Sequence, residues 1–330
     1  MPKRLQKKRM VAAINNYMEA KHDSVLLSET LETLAVRSGD TVVDATLGGA
    51  GHFKALLARL GGDGVLVGID ADPEAVERAR SVYAEDRRSD KPVAHLINDN
   101  FRRLAPILDR LGIPSIDRIL FDLGWSGYQV ASVRGFSFQG DEPLLMTYAP
   151  EEKSAAEFIN SASEEDLADV LYAYGEERFA RGIARSIVAA RAKERILTTS
   201  ALVNAVKRGT PDWYHRGKTH PATKTFQALR IAVNDEFDAL REGIAAAFAC
   251  LNEGGRIAVI TFHSSEDRIV KSYFREAVES GSGFLVTKKA VMPSRAEVLR
   301  NRRSRSAKLR VFERTPLARP AKRASTHHYV

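Results

Sequence analysis

The apolar residues of this chain follow two patterns, short runs of β-branched residues and longer stretches with helical spacing. Four short runs have the composition of buried parallel strands. They are Val42–Val43, Val65–Ile69, Pro92–Ile97 and Ile116–Phe121. Helical spacing follows Ser24 and Asp72-Pro73, and we expect Ser24 and Asp72 to be N-caps. Strands that alternate with helices in this order predict an α/β fold with a doubly wound parallel sheet.

The pattern changes after about residue 130, and no strand is predicted between about 130 and 222. Helical patterns cover residues 151–160, 164–174, 176–193 and 200–208. Ser163 and Asp166 have the spacing of a capping box, and Gly175 is expected to stop the helix that they begin. We therefore predict an all-helical insertion at the carboxyl edge of the sheet, where it would cover a binding site.

One long amphipathic helix, from about Phe226 to Phe248, is predicted before the strand pattern returns. Gly254–Gly255 is expected to end this helix, and Arg256–Phe262 to form the next strand. Two more strands are predicted at residues 284–288 and 308–313, on either side of a basic segment. The predicted organisation begins with a basic N-terminal arm at residues 1–21 and ends with a basic disordered tail at residues 316–330. Between them lie a core in two parts, residues 22–130 and 223–315, and a helical insertion that serves as substrate domain, residues 131–222.

The junction between the first strand and its helix has the composition of a ligand-binding turn. Val42–Val43 is followed by Asp44 and then by a turn that contains Gly48, Gly49 and Gly51. Glycine permits positive φ angles and a close approach of the backbone to a ligand. A strand, a glycine turn and a helix N-terminus together form a nucleotide-type site in α/β sheets. A tight connection without a ligand is the alternative.

Asp70 favours the ligand-binding interpretation because it ends the second strand, 22 residues after Gly48. A carboxylate at this place can accept hydrogen bonds from both hydroxyls of a ribose, although Asp70 could instead only cap the next helix. A G-x-G-x-x-G motif from Gly49 would need glycine at position 54, where Lys54 stands, which disfavours NAD. The looser glycine pattern favours a smaller adenosine ligand, S-adenosylmethionine. Phe101, after the third strand, is equally suited to cover an adenine ring or to join the core.

The net charge of +8 is concentrated at the two ends of the chain. Residues 1–10 hold five Lys or Arg and no acid, and residues 288–330 hold thirteen against two Glu. The remainder therefore has a net charge of −8. Two basic ends on an acidic body favour a polyanionic partner, and we predict a nucleic acid. The predicted RNA-binding residues are Lys288, Lys289, Arg302, Arg303 and Arg305.

Cysteine content and residue spacing exclude several other classes of protein. Cys250 is the only cysteine, which excludes intramolecular disulfides and favours a reducing compartment, the cytoplasm. No apolar run approaches the length of a membrane span, and the basic N-terminus lacks the apolar core of a signal peptide. No metal site or hydrolytic triad is predicted from the spacing of His, Cys, Ser and acidic residues. The oligomeric state stays open between monomer and homodimer.

Several long motifs occur in a fixed order along nearly the whole chain. They are His22–Leu27, Asp44–Gly49, Phe121–Gly124, Arg134–Phe138, Thr225–Arg230, Val233–Glu236, Phe262–Ser264 and Arg303–Val311. In these motifs the chain resembles the ribosomal RNA small subunit methyltransferase H family, also called MraW. The resemblance implies a class I methyltransferase sheet with a helical insertion and S-adenosyl-L-methionine as the cofactor. It also implies methylation of the exocyclic N4 of a cytidine in the decoding region of small-subunit rRNA, with the 30S subunit as partner.

The cofactor-binding residues that the resemblance implies are Ala50, Gly51, His52, Asp70, Phe101, Asp122 and Gln129. The chain departs from the family at Ala50, where a glycine is usual. It also departs at Trp125–Tyr128 and Leu145–Tyr148, which fall on the substrate side of the site. The turn around Ala50 can still bind the cofactor if its contacts come from backbone N–H groups.

The candidate catalytic residues are Asp122, Trp125 and His263. Asp122 stands where other amino-methyltransferases carry an (Asp/Asn)-Pro-Pro-(aromatic) motif, and its carboxylate would accept an N–H of the target amine. Trp125 would stack on an extruded base, or else pack under the insertion. We expect His263 to be an oriented loop residue near the substrate rather than a general base. The segment Asn234–Glu236 is expected to be no more than polar positions on a helix face.

Two other functions stay open on the sequence alone. A ribosome-assembly module that binds the cofactor without turnover would account for the altered residues at 125–128 and 145–148. An adenine-N6 DNA methyltransferase is disfavoured because no Pro-Pro pair follows Asp122.

Overall fold

A computed structural model describes residues 24–124, 127–138, 140–149, 152–217 and 219–316. The predicted N-terminal arm and all but the first residue of the predicted tail lie outside these ranges. The strands are β1 (Thr41–Asp44), β2 (Val65–Asp70), β3 (Val93–Asn98), β4 (Ile116–Asp122), β5 (Leu251–Thr261), β6 (Gly283–Leu285) and β7 (Lys308–Arg314).

The helices before and within the insertion are α1 (Leu27–Leu34), α2 (Gly51–Arg59), α3 (Pro73–Glu85), α4 (Leu104–Leu111), α5 (Gly127–Ala131), α6 (Ala155–Ser161), α7 (Glu164–Gly175), α8 (Ala180–Arg191) and α9 (Thr199–Arg208). Those that follow are α10 (Thr223–Val233), α11 (Glu236–Cys250), α12 (Ser264–Glu279) and α13 (Arg295–Arg300). Short 3-10 turns lie at Phe101–Arg103, Asp212–Arg216 and Arg302–Ser306. No helix among the described residues is long and apolar enough to cross a membrane.

The strands form one sheet in the order β3-β2-β1-β4-β5-β7-β6. β1 to β5 run parallel, and β7 pairs antiparallel with both β5 and β6. The chain moves outward from β1 to β3 and then returns to place β4 on the other side of β1. This reversal opens a crevice at the carboxyl ends of β1 and β4, where doubly wound sheets bind ligands. The predicted α/β class and doubly wound sheet are confirmed.

Alternating strand residues face two apolar layers, as the period of an extended chain requires. Val42 and Leu66 belong to the layer that α1, α2 and α3 cover. Val43 and Val67, one residue further along, belong to the layer under α4, α11 and α12. Because helices cover both faces of the sheet, residues on both sides of these strands are apolar, and the strands appear in the sequence as continuous apolar runs.

The inserted helices have an apolar cluster of their own, which includes Leu171, Ile183 and Leu202. Ser163 and Asp166 form the predicted capping box of α7. Helix α10 packs its Phe226 and Leu229 into the same cluster. No strand occurs in the described residues between 131 and 222, although Pro143 and Thr198 form an isolated bridge. The domain boundaries themselves stay a prediction.

Several element ends differ from the sequence-based predictions. Helix α1 has Leu26 at its N-cap, without a side-chain cap, so the prediction of Ser24 as N-cap was wrong. Ser24 instead lies against Gly51, where a Cβ would clash with its hydroxyl. Asp72 is the N-cap of α3, as predicted, and its side chain accepts from the N–H of Glu74.

Gly175 is the last residue of α7 rather than its stop, and Glu176 takes the left-handed conformation with φ 49°. Glycine is needed at 175 for a different reason, because a Cβ there would lie 2.7 Å from the carbonyl oxygen of Lys224. Gly254–Gly255 lies inside β5, since the preceding helix already ends at Cys250. β6 ends at Leu285, so Lys288 lies outside the strand that was predicted to contain it.

The long helix predicted through Phe226 and Phe248 is two helices, α10 and α11. Asp235 has a left-handed backbone with φ 49°, which interrupts the helical hydrogen bonding. The prediction that Asn234–Glu236 only holds polar positions on a helix face was therefore wrong. These residues form a corner, and the corner faces the cavity described next.

Candidate functional site

The glycine turn between β1 and α2 brings backbone N–H groups to the carboxyl edge of the sheet. Gly48 and Ala50 both have left-handed backbones, with φ 47° and 62°. Ala50 is the N-cap residue of α2 and offers no side-chain cap to the first turn. A helix N-terminus without a side-chain cap leaves N–H groups for a polar or anionic ligand group.

Asp70 holds this turn from the end of β2. Its carboxylate accepts hydrogen bonds from the N–H of Gly48 at 2.9 Å and of Asp72 at 2.8 Å. Burial raises the pKa of Asp70 to about 6, although both backbone hydrogen bonds lower it. Asp70 therefore orders the turn as well as facing the cavity, so neither of the two predicted roles excludes the other.

A cavity of about 500 Å³ lies above the turn, at the reversal of strand order. This volume is in the range of small-molecule sites. Six of the seven predicted cofactor-binding residues line it: Gly51, His52, Asp70, Phe101, Asp122 and Gln129. Ala50 does not line the cavity, and its methyl group is buried in the core.

Phe101 lies between the cavity and the core, so its contact with an adenine ring stays a prediction. Its ring lines the cavity and also meets the ring of Phe121 edge-on, with 5.4 Å between the centroids. On the other side it packs against Gly243 of α11, where a Cβ would lie 2.7 Å from the ring. The ring is thus held in a fixed orientation by the core while it remains in contact with the cavity.

Asp122 ends β4 inside the cavity, with His52 beside it. His52 Nε2 lies 3.5 Å from Asp122 Oδ2, and the Asp122 N–H donates to the Thr46 hydroxyl. Oδ1 of Asp122 is buried without a hydrogen-bond partner among the described residues. Burial, and then the charge of Glu266, raises the pKa of Asp122 to about 7. Such a shift in a cavity is typical of functional carboxylates.

The cavity is surrounded by more acids than cations. Asp44 is fully buried behind the turn, and burial holds its pKa well above the usual range. Asp70 and Asp122 have raised pKa values for the same reason. A ligand that brings positive charge would favour the ionised forms of all three carboxyls. This donor set fits a cationic sulfonium compound that also carries an ammonium group.

The far wall of the cavity contains residues that the sequence did not identify. Tyr148 and Glu236 both line it, and the Tyr148 hydroxyl donates to Glu236 Oε1 at 2.9 Å. Glu236 also accepts from Arg230, which is almost completely buried. Asn234 accepts from the Tyr148 N–H and donates to the carbonyl of Met146. Successive polar residues within an otherwise apolar helical repeat were the signal that could have revealed this wall.

His263 has a structural role at the beginning of α12. It is the N-cap of α12, where its Nδ1 accepts from the N–H of Glu266, and its Nε2 lies 2.9 Å from Glu266 Oε1. The ring contacts Phe237, which lines the cavity, but His263 itself does not line it. Burial raises the pKa of Glu266, but the contact with His263 and the charge of Arg230 outweigh it and lower the pKa. Trp125, the third candidate catalytic residue, lies outside the described residues.

The predicted RNA-binding residues do not form one uniform group. Lys288, Lys289, Arg302 and Arg305 are exposed. Arg303 is exposed as well but lines the cavity, next to Asn301. The sequence-based prediction treated all five as equivalent phosphate contacts, and the position of Arg303 requires that it be considered separately.

No group of His, Cys, Asp and Glu that could hold a metal ion occurs in the part of the chain that the structure describes. The residues that line the cavity include acids, glycines of the turn and aromatic residues.

Comparison with known proteins gives consistent matches over most of the chain. A sequence profile of the MraW methylase family matches residues 19–315. A ribosomal RNA small subunit methyltransferase H of Deinococcus deserti is 46% identical over 296 residues, which cover 89% of this chain and 93% of that protein. The protein of the same name from Lactobacillus delbrueckii subsp. bulgaricus is 44% identical over 314 residues, with 90% and 100% covered. A solved rRNA methylase from Streptococcus thermophilus is 11% identical with a TM-score of 0.42, covering 87% of this chain and 95% of that chain.

The profile spans most of the chain, and the two relatives share well over a third of their residues with it. The resemblance drawn from the motifs is thereby confirmed. This chain belongs to the MraW methylase family, and it is a methyltransferase that uses S-adenosyl-L-methionine.

Proposed function

We propose that this protein transfers a methyl group from S-adenosyl-L-methionine to the exocyclic N4 of a cytidine in the decoding region of small-subunit rRNA. The names of its relatives support small-subunit rRNA as the substrate. The observation that carries the choice of an amine target is Asp122, a buried cavity carboxylate with one oxygen left without a partner among the described residues. Such an oxygen is suited to accept one N–H of an exocyclic amine.

The cavity residues fit the cofactor in three ways. We expect the carboxylate of Asp70 to accept from ribose hydroxyls and the ring of Phe101 to cover the adenine face, since both line the cavity. The carboxyls of Asp44, Asp70 and Asp122 complement a cationic ligand. When bound, S-adenosyl-L-methionine supplies an electrophilic methyl group on its sulfonium.

The task of the protein in this reaction is to orient a weak nucleophile. The lone pair of the cytosine amine is delocalised into the ring, so the amine attacks poorly. The Asp122 carboxylate, once ionised, accepts one N–H, which localises the pair and fixes its direction. As the N4–methyl bond forms and the sulfur–methyl bond breaks, the amine loses one proton, and the same carboxylate is suited to take it. His52 lies beside that carboxylate, with its Nε2 3.5 Å from Oδ2. Positioning and fixed charge account for the remaining rate enhancement.

Incubation of the protein with 30S subunits and methyl-labelled cofactor tests this function, with the modified nucleoside identified by mass spectrometry. We expect label in N4-methylcytidine. Label in another nucleoside of the rRNA would overturn the proposed target. Cofactor binding without transfer would instead support an assembly factor, and transfer to duplex DNA would support a DNA methyltransferase.

Asp70→Ala should raise the dissociation constant for S-adenosyl-L-methionine. Loss of hydrogen bonds to two ribose hydroxyls should cost about 2–3 kcal/mol, and isothermal calorimetry measures it. Thermal unfolding should show a modest loss of stability as well, because Asp70 also accepts from Gly48 and Asp72. Asp99→Ala is the matched control, since Asp99 follows β3 at the same edge without lining the cavity. An unchanged dissociation constant in Asp70→Ala would leave Asp70 with its structural role alone.

Replacement of Lys288, Lys289, Arg302 and Arg305 by Ala should weaken RNA binding and flatten its salt dependence. Each lost phosphate contact should lower the slope of log affinity against log salt by about 0.7–0.9. Cofactor affinity should stay unchanged in this variant, because none of the four residues lines the cavity. Arg303→Ala should differ by reducing cofactor affinity too. Binding to 30S subunits across a salt series measures the effect, and an unaltered slope would indicate a solvated surface only.

A further inference from the structure

The helical insertion carries an aromatic cluster around one arginine, away from the cavity. The guanidinium carbon of Arg178 lies 4.8 Å from the ring centroid of Phe179, 4.6 Å from that of Trp213 and 5.4 Å from that of Tyr214. The three rings also meet each other edge-on, with centroids 5.0 to 6.1 Å apart. We call these four residues the Trp213 cluster.

The Trp213 cluster is supported on its buried side by Glu177 and is exposed to solvent on its other side. The carboxylate of Glu177, which is fully buried, accepts from the Tyr214 hydroxyl at 2.7 Å and from the Phe179 N–H at 2.9 Å. Trp213 is nevertheless 56% exposed, and Arg178 is exposed as well. A large aromatic ring kept in water by a rigid support gains little for folding, and it is the usual surface on which a base stacks.

The surroundings of the Trp213 cluster are basic, although most of the chain between its two ends is acidic. Residues 176–217 hold nine Lys or Arg and four Asp or Glu. Lys207, Arg208 and Arg216 are exposed on the segments that lead into and out of Trp213. Helix α7, directly before this stretch, holds four acids and no Lys or Arg. The charge thus changes sign at the cluster, and the exposed basic side is suited to phosphate groups.

The Trp213 cluster is connected to the rim of the cavity. Glu176, two residues before Arg178, accepts from the hydroxyls of Ser264 and Ser265 at the N-terminus of α12 and pairs with Arg268. On the same side the ring of Tyr174 meets Phe237, which lines the cavity. The helix end that precedes Arg178 thus contacts both the start of α12 and a residue of the cavity wall.

We propose that Trp213 and Arg178 form a platform on which one unpaired base of the substrate RNA stacks, while Lys207, Arg208 and Arg216 contact neighbouring phosphates. This proposal rests on the proposed rRNA substrate. Arg178 contributes twice, because it packs against the Trp213 ring and adds positive charge beside it. The platform reads no base identity, so it would favour single-stranded over duplex RNA of any sequence.

Binding of a fluorescent single-stranded RNA to the full chain tests the platform. Trp213→Ala should raise the dissociation constant at least fivefold, in the range expected for one lost stacking contact, and leave the slope of log affinity against log salt unchanged. Trp213→Phe should lose less, since a smaller ring still stacks. Lys207→Ala with Arg208→Ala should instead lower the slope by about 0.7 for each residue.

Tyr172→Ala is the matched control, because Tyr172 is 69% exposed but lies on the acidic helix α7. It should bind RNA like the unchanged protein. Stacking also predicts that RNA quenches the part of the tryptophan fluorescence that is absent from Trp213→Phe. Equal affinity of Trp213→Ala and Tyr172→Ala would overturn the platform even if methyl transfer to 30S subunits persists. Absence of transfer by the unchanged protein would instead contradict the proposed function.

Discussion

Asp122→Asn should nearly abolish methyl transfer and at the same time stabilise the fold. The asparagine side chain keeps the shape and can still accept an N–H, but it cannot take the proton that the amine loses, and loss of a positioned acid–base group lowers rates about 10²–10⁴-fold. The stability gain follows from the raised pKa of Asp122, about 7, because an ionised carboxylate is unfavourable at this buried position. Label transfer and chemical denaturation at pH 8 measure the two effects.

The raised pKa of Asp122 makes both stability and methyl transfer depend on pH. The folded protein holds the Asp122 proton more tightly than the unfolded chain, so the free energy of unfolding falls as pH rises from about 4 to about 7. Methyl transfer should rise over the upper part of that range, since only the ionised carboxylate can take the proton that the amine loses. The stability difference between Asp122→Asn and the unchanged protein should therefore be small at pH 4 and largest above pH 7.

Asp117→Asn provides the control at the opposite end of β4. Asp117 accepts from the Thr41 N–H and the Asn252 side chain and does not line the cavity. Its replacement should lower stability and leave transfer unchanged, which is the reverse of both effects at Asp122. If Asp122→Asn retained most of the transfer rate, the amine would have to be oriented by another group of the cavity.

Most of the sheet and the cofactor side of the site could be predicted from the sequence because their signals are local. β1, its glycine turn and Asp70 follow from β-branched runs, glycines and a carboxylate within thirty residues. The N-cap of α3 at Asp72 follows from two adjacent residues, Asp72 and Pro73. In each case the residues that fix the backbone are neighbours along the chain.

The substrate side could not be predicted because its contacts join distant segments. Apolar spacing continues from Phe226 to Phe248, and the polar run Asn234–Glu236 within it does not by itself distinguish a corner at Asp235 from the solvent-facing side of one helix. The corner is stabilised by Asn234, which bonds to the backbone at Met146 and Tyr148, nearly ninety residues earlier. The basic surface around Trp213 was missed for another reason. The chain between its two ends has a negative net charge, and this average hides a basic segment at residues 176–217.

The second large effect is expected at Arg230, whose side chain is 4% exposed and pairs with that of Glu236, which is 15% exposed. Arg230→Met should lower the free energy of unfolding by about 3–5 kcal/mol, because it leaves the Glu236 carboxylate buried without its cation. Urea denaturation measures this loss. The double variant Arg230→Met, Glu236→Met should recover much of it, since apolar side chains of similar volume often replace a buried ion pair without loss.

The double variant also separates stability from function. It restores a folded protein but removes the acceptor of the Tyr148 hydroxyl and the negative charge of the cavity wall. If this wall positions the target base, the double variant should bind S-adenosyl-L-methionine normally and still transfer methyl groups poorly, with the defect in transfer to RNA. Normal transfer by a stable double variant would mean that the ion pair only supports the corner between α10 and α11. A double variant no more stable than Arg230→Met would contradict the desolvation argument, because the loss would then come from packing around Arg230 rather than from an unpaired charge.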